Sequence, residues 1–274
     1  VAVGAVIFNF VFWAFSFLRM GTTGLTAQAL GAGDADEARD VLGRALAIGV
    51  LVGALLILLQ WPIREAAFGV LEGSADVESL GREYFAVRIW AAPATLANYA
   101  LLGWFIGLGR TDIGLVLQLV LNLTNIALDA LFVLVFGWDV QGVALGTVTA
   151  EIVAAGLGIA IARRHSGSVI ASGLVGMLQS DRLRRTFAVN ADIMIRTLAL
   201  LGAFTWFTAQ GARQGDVILA ANAVLLHFVS LAAFFLDGLA FAAEALVGRA
   251  IGAAHRAGLV AAARMTTVWA AGIA

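Results

Sequence analysis

Long apolar runs alternate with short polar breaks along most of the chain. Runs able to form helices cover residues 1–29, 41–61, 83–108, 113–137, 142–162, 187–210 and 217–250, and an eighth begins near 259. Each full run reaches the length of about 20 residues that an α-helix needs to cross a bilayer. The pattern therefore predicts seven spans and a partial eighth. Polar breaks separate them, such as GAGDADEARD (31–40), LGRTD (108–112) and AAHRAG (253–258), with longer ones at 62–82 and 163–186. The fold class is all-α, a polytopic bundle whose first partner is the lipid bilayer.

Composition points the same way. Apolar residues make up 61% and charged residues 13% of the 274 positions, against roughly 45–50% and about 25% in soluble domains. The absence of cysteine excludes a disulfide framework, a thiolate nucleophile and sulfur-based zinc sites. All 17 basic residues are Arg and the net charge is −1, so nothing supports a nucleic-acid partner. The chain opens and stops inside apolar sequence, which reads as an internal stretch of a longer protein.

If the spans alternate in direction, one side collects Arg39, Arg44, Arg110, Arg163, Arg164, Arg182, Arg184, Arg185, Arg249, Arg256 and Arg264, and the other Arg64, Arg82 and Arg213. That asymmetry places the first set in the cytoplasm. The loop at 163–186 reads as a cytoplasmic linker, giving a lobe over 1–163, a linker over 164–186 and the start of a second lobe over 187–274. A shift of 221 residues lays LTAQALGAGD (25–34) on LVGRAIGAAH (246–255), with four identities including Gly31/Gly252. Both segments end a span and open a loop on the same side. Two parallel six-helix repeats, a known transporter architecture, follow from that spacing.

Ionisable residues at membrane depth line cavities or pathways by default, because a charge facing lipid is costly. Gln118, Asn122, Asn125 and Asp129 stand at i, i+4, i+7 and i+11, on one helical face. Depth estimated from hairpin tips puts Asn98, Tyr99, Asn125, Asp129 and Thr147 within about 3–5 Å of one level, so one pocket is expected. Such a pocket suits a proton, or a hard monovalent cation such as Na+ at Asp129, Asn125 and Thr147. Interhelical hydrogen bonding is the bland alternative, weightier for Gln118 and Asn122 than for Asp129. Asp192, Arg196, Asp237 and Glu244 form a second polar set, with Asp192 and Arg196 spaced to pair as ions. Glu151 lies one turn beyond Thr147, and only Arg19 and Arg196 are read as cations at depth. The GxxxG pairs Gly49/Gly53, Gly103/Gly107 and Gly142/Gly146 permit close helix contacts, and Pro93 reads as a kink. With no paired His, no nucleophile beside a base and no metal cluster, an enzyme is not expected.

FLRMGTTGLTAQALGAGD, GWFIGLGRTD, NLTNIALDALFV, GVALGTVTAEI, NADIMIRTLAL and FFLDGLAFAAEALVGRAIGA resemble, in order along the chain, the DinF-like branch of the multidrug and toxic compound extrusion (MATE) transporters. The resemblance implies helices two through eight and part of nine of a twelve-helix, two-lobed transporter. It further implies a monomer of the bacterial inner membrane, without cofactor, that exchanges H+ or Na+ for small organic molecules, often cationic. The family's cation pocket matches Asn98, Asn125, Asp129 and Thr147, while its other acid lies on a first helix absent here. A lipid-linked oligosaccharide flippase is the alternative, and would line its central cavity with cations.

Overall fold

The computed structural model describes residues 8, 11–70, 75–167, 180–213 and 216–273, and those residues form helices and turns without strands. The helices are α1 (Phe17–Gly31), α2 (Ala35–Leu58), α3 (Gln60–Val70), α4 (Ala75–Arg88), α5 (Ala92–Gly107), α6 (Thr111–Asp129), α7 (Asp139–Ser166), α8 (Ser180–Arg213), α9 (Asp216–Gly252) and α10 (Arg256–Ile273). Six stretches among the described residues are long and apolar enough to cross a membrane: Ala35–Leu58, Glu78–Gly107, Thr111–Val135, Asp139–Ser166, Asp181–Thr208 and Val224–Gly252. The predicted first span is described as helix from Phe17 after a helical turn at 11–14. Most of the expected linker, 168–179, lies outside the described residues.

Two expectations change. The break at 62–82 is largely helical, occupied by α3 and α4. Its charges lower hydropathy without ending helices, because they neutralise one another: Arg82 bonds Glu65 at 2.6 Å and Glu78 at 2.9 Å. Arg82, helped by Arg64, holds the Glu65 carboxyl below its ordinary range. Pro93 does not kink a continuous helix. A 3₁₀ turn at Ile89–Ala91 ends one helix, and Pro93 sits in the first turn of α5, where its missing N–H costs nothing.

Helix α1 is the hub, packing on α2 and α5 on one side and on α8 and α9 on the other. Small residues set these distances. A Cβ on Gly103 would strike the Arg19 backbone, and one on Gly53 would lie 2.5 Å from Pro93. The core beneath holds Phe85, Ile89, Leu96, Leu101, Trp104 and Phe105, all essentially inaccessible. The indole of Trp104 donates to the Ala38 carbonyl at 2.8 Å, which satisfies its one donor.

The repeated segments meet each other. A Cβ on Gly31 would collide with the Arg249 carbonyl, and one on Gly252 would collide with the Gln28 carbonyl. Gln28 and Arg249 are themselves equivalent under the 221-residue shift. Gly248 faces its own equivalent, Ala27, at the same crossing. When residue i touches j′ and j touches i′, a two-fold axis runs through the contact.

The turns that follow also repeat, bond for bond. Ala32, Gly33 and Asp34 donate to Gln28, Leu30 and Ala29 at 3.0, 3.0 and 2.9 Å; Ala253, Ala254 and His255 donate to Arg249, Ile251 and Ala250, each at 3.0 Å. Both are helix ends closed by a left-handed residue, which is Gly33 (φ 75°) in one copy and Ala254 (φ 50°) in the other. A Cβ in that conformation costs about 1–2 kcal/mol. Ala254→Gly is therefore expected to stabilise the protein by about 0.5–1 kcal/mol after the added chain entropy, measured as a higher unfolding midpoint in detergent. A lower midpoint would refute the strain at Ala254.

Candidate functional site

Helix α6 carries its polar stripe towards α7. Asn125 donates to Asp129 Oδ1 at 3.3 Å and to Thr147 Oγ1 at 3.1 Å, and Thr147 donates to the Val143 carbonyl at 2.9 Å. These three side chains form one hydrogen-bonded unit, all partly buried. Gly146 makes room for it, because a Cβ there would overlap Asp129 Oδ1. Asp129 is the last residue of α6, and the wider π turn Ala130–Val135 begins directly after it; such π segments recur at functional sites. Gln118 and Asn122 share the stripe but not the bonded unit, and Asn122 is exposed.

The geometry yields a test of Gly146. Gly146→Val should displace the Asp129 carboxylate, because two β-branched methyls enter space that the oxygen occupies. We expect an ion-dependent activity reduced nearly as far as by removal of the acid, with Gly146→Ala intermediate. Wild-type activity in Gly146→Val would show that the Asp129 position does not matter.

Asn98 and Tyr99 do not join this unit. Asn98 donates to the Glu151 carboxylate at 2.7 Å and to the Glu151 carbonyl at 3.0 Å. Arg88 completes the group, 3.2 Å from the other Glu151 oxygen. Equal depth placed Asn98 beside Asn125, but depth leaves the direction around a helix open. Helix α7 packs on both α5 and α6, so it receives Asn98 at Glu151 and Asn125 one turn away at Thr147. Tyr99 stands in electrostatic range of Glu151, Arg19 and Arg88. Arg88 and Glu151 are 8% and 7% exposed, and the Arg88 guanidinium also lies 5.4 Å from the Phe8 ring centroid. Sequence reasoning left Arg88 out of the cations at depth and left Glu151 open. The available signal was a third Arg inside an apolar run, which demands a buried carboxylate partner.

Two members of the second polar set, Asp237 and Glu244, lie on α9, the helix that packs on α1. Glu244 is partly buried, and Asp237 is exposed on the same helix. Glu244 stands in electrostatic range of Arg19, Arg196 and Asp237. Asp192 and Arg196 are exposed on α8 and leave their i, i+4 ion pair open. Among the described residues, no three His, Cys, Asp or Glu side chains converge as a metal cluster.

At the arginine-rich end, further charges tie the halves together. Arg182 of α8 bonds Glu37 at 2.6 Å and lies 3.4 Å from Asp40 of α2. Glu37 also pairs with the buried Arg44. Arg185 donates to Gln28 at 2.5 Å, and Arg249 to the Leu108 carbonyl at 3.4 Å.

These helices, with an acid and its amide and hydroxyl partners held inside one lobe and a pseudo-two-fold crossing beside it, define a multi-pass helical membrane protein. The MatE family model matches residues 1–131. The chain is 40% identical over 259 residues to DNA damage-inducible protein F of Escherichia coli, covering 92% of this chain and 55% of that protein. It is 31% identical over 247 residues to "Probable multidrug resistance protein NorM" of Deinococcus radiodurans, covering 85% and 53%. Its fold matches a MOP superfamily transporter from Pyrococcus furiosus with a TM-score of 0.87 at 19% identity, over 99% of this chain and 61% of that one. By these matches the chain is similar to the MATE family, in its DinF-like branch, a family of transporters rather than enzymes. It spans about half the length of the curated relatives it matches.

Proposed function

We propose that the chain forms the ion-coupling lobe and the start of the second lobe of a cation-coupled exporter in the bacterial inner membrane. H+ or Na+ entering at Asp129, Asn125 and Thr147 is exchanged for an outgoing small organic compound by alternating access. The observation that carries this reading is the hydrogen-bonded Asn125–Asp129–Thr147 unit inside a membrane span. A carboxylate there changes its interactions with α7 when it gains or loses a positive charge. As placed, the Asn125 amide points N–H groups at both partners, and a half-turn about its last bond presents its oxygen instead. The same three residues can thus hold a protonated acid or three oxygens around a cation.

The names of the relatives support export of drugs. The excess of Arg at one end supports a cytoplasmic location for the 31–34, 109–112 and 253–258 turns. A flippase would need cations lining the central cavity, yet Arg88 is committed to Glu151. The transporter works as a monomer in this reading, with lipid and a small molecule as its partners and no cofactor.

The test is efflux of a fluorescent organic cation from vesicles containing the whole transporter, driven separately by a pH gradient and a Na+ gradient. Efflux under one gradient names the coupling ion. Silence under both would refute the reading.

A further inference from the structure

Arg19 lies on α1 at the face that meets α9, about 18 Å along the helix from the Gly31 crossing. Its guanidinium carbon is 4.4 Å from the centroid of the Phe241 ring on α9. Its Nε is buried without a hydrogen-bond partner, and so is Oε2 of Glu244, one turn further along α9. Arg19 also stands in electrostatic range of Asp237, Glu244 and Tyr99. A guanidinium and a carboxylate with a structural role close into paired, charge-assisted hydrogen bonds. Here they remain unclosed, each with a buried atom unsatisfied, at a cost that a purely structural pair avoids.

An aromatic face with carboxylates around it is the arrangement that recognises organic cations, through the ring quadrupole and the negative field. At this site the aromatic face is covered by a cation of the chain itself, with both carboxylates in its electrostatic range. We propose that Arg19 is a tethered surrogate ligand: it covers Phe241 and offsets Glu244 and Asp237 when the site is empty, and an organic cation with delocalised or quaternary charge displaces it. The inference rests on the export reading only in making that cation the cargo. Displacement frees the α1 side chain from α9, a helix pair that joins the two halves.

The experiment is equilibrium binding of tetraphenylphosphonium to the purified whole transporter, with tetraphenylborate as the probe of equal shape and opposite charge. Arg19→Gln removes the competitor and should tighten tetraphenylphosphonium binding about tenfold, the size of a desolvated cation–π contact. Arg19→Lys keeps a competing cation and should bind like wild type. Phe241→Leu and Glu244→Gln, with Arg19 intact, should weaken binding severalfold. Unchanged or weaker tetraphenylphosphonium binding by folded Arg19→Gln would overturn the proposal. So would tetraphenylborate binding that disappears in that variant, since Arg19 would then be an anion anchor. If Arg19→Gln does not fold, wild-type affinity in both Phe241→Leu and Glu244→Gln overturns it as well. The binding pattern without any gradient-driven efflux would refute the export reading and leave the surrogate role standing.

Discussion

Asp129→Asn is expected to reduce gradient-driven export to the level of empty vesicles while the protein still inserts and folds. Asn matches the carboxylate in size, so the seat at Gly146 and the contact with Asn125 can persist. What it cannot do is carry a proton or a negative charge through a cycle. An interaction needed for folding would have been lost with stability, whereas this one is lost with coupling alone. Substrate binding at the α1–α9 face should survive, because that face shares no residue with the unit on α6 and α7. The measurement is efflux under each gradient alongside binding of the same cation; export retaining its full pH or Na+ dependence would remove Asp129 from the mechanism.

Glu151→Ala is expected to destabilise the protein by about 3–5 kcal/mol, because it leaves the Arg88 charge buried with no anion beside it. Arg88 and Glu151 are both almost fully enclosed, and Asn98 spends its amide on the same carboxylate. Removing both charges is a different matter. Arg88→Met with Glu151→Leu should recover most of the loss, as apolar replacements of buried ion pairs often do. Denaturant or thermal unfolding in detergent of the two single variants and the double variant forms the cycle that checks this. Equal, additive losses would show that the two residues do not act as a pair.

The spans were legible in the sequence because the bilayer imposes a length and an apolar requirement that local composition must meet. The Asn125–Asp129–Thr147 unit was legible for a similar reason: helical spacing put two of its members on one face, and the short α6–α7 connection brought the third opposite. Asn98 was misplaced because distance from a loop measures height and says nothing about which neighbour a side chain faces. Arg88 and Glu151 lie 63 positions apart, and no local pattern links such residues until α4, α5 and α7 are packed. Helices α3 and α4 were read as a polar break because Arg64, Glu65, Glu78 and Arg82 weigh equally in hydropathy whether paired or free. The unclosed Arg19–Glu244 pair lies on helices at opposite ends of the chain. The repeat, by contrast, needed only self-comparison, and the crossing at Ala27 and Gly248 shows why those small residues recur.

That crossing bears on ancestry. A self-complementary contact inside one chain has the form of a homodimer interface whose two subunits have been joined end to end. An ancestor of half the length would have met a second copy of itself through the surface now formed by Gln28 and Gly31. Joining the copies released each from serving both roles. Each could then change on its own, and Gly33 and Ala254 differ at a single equivalent position.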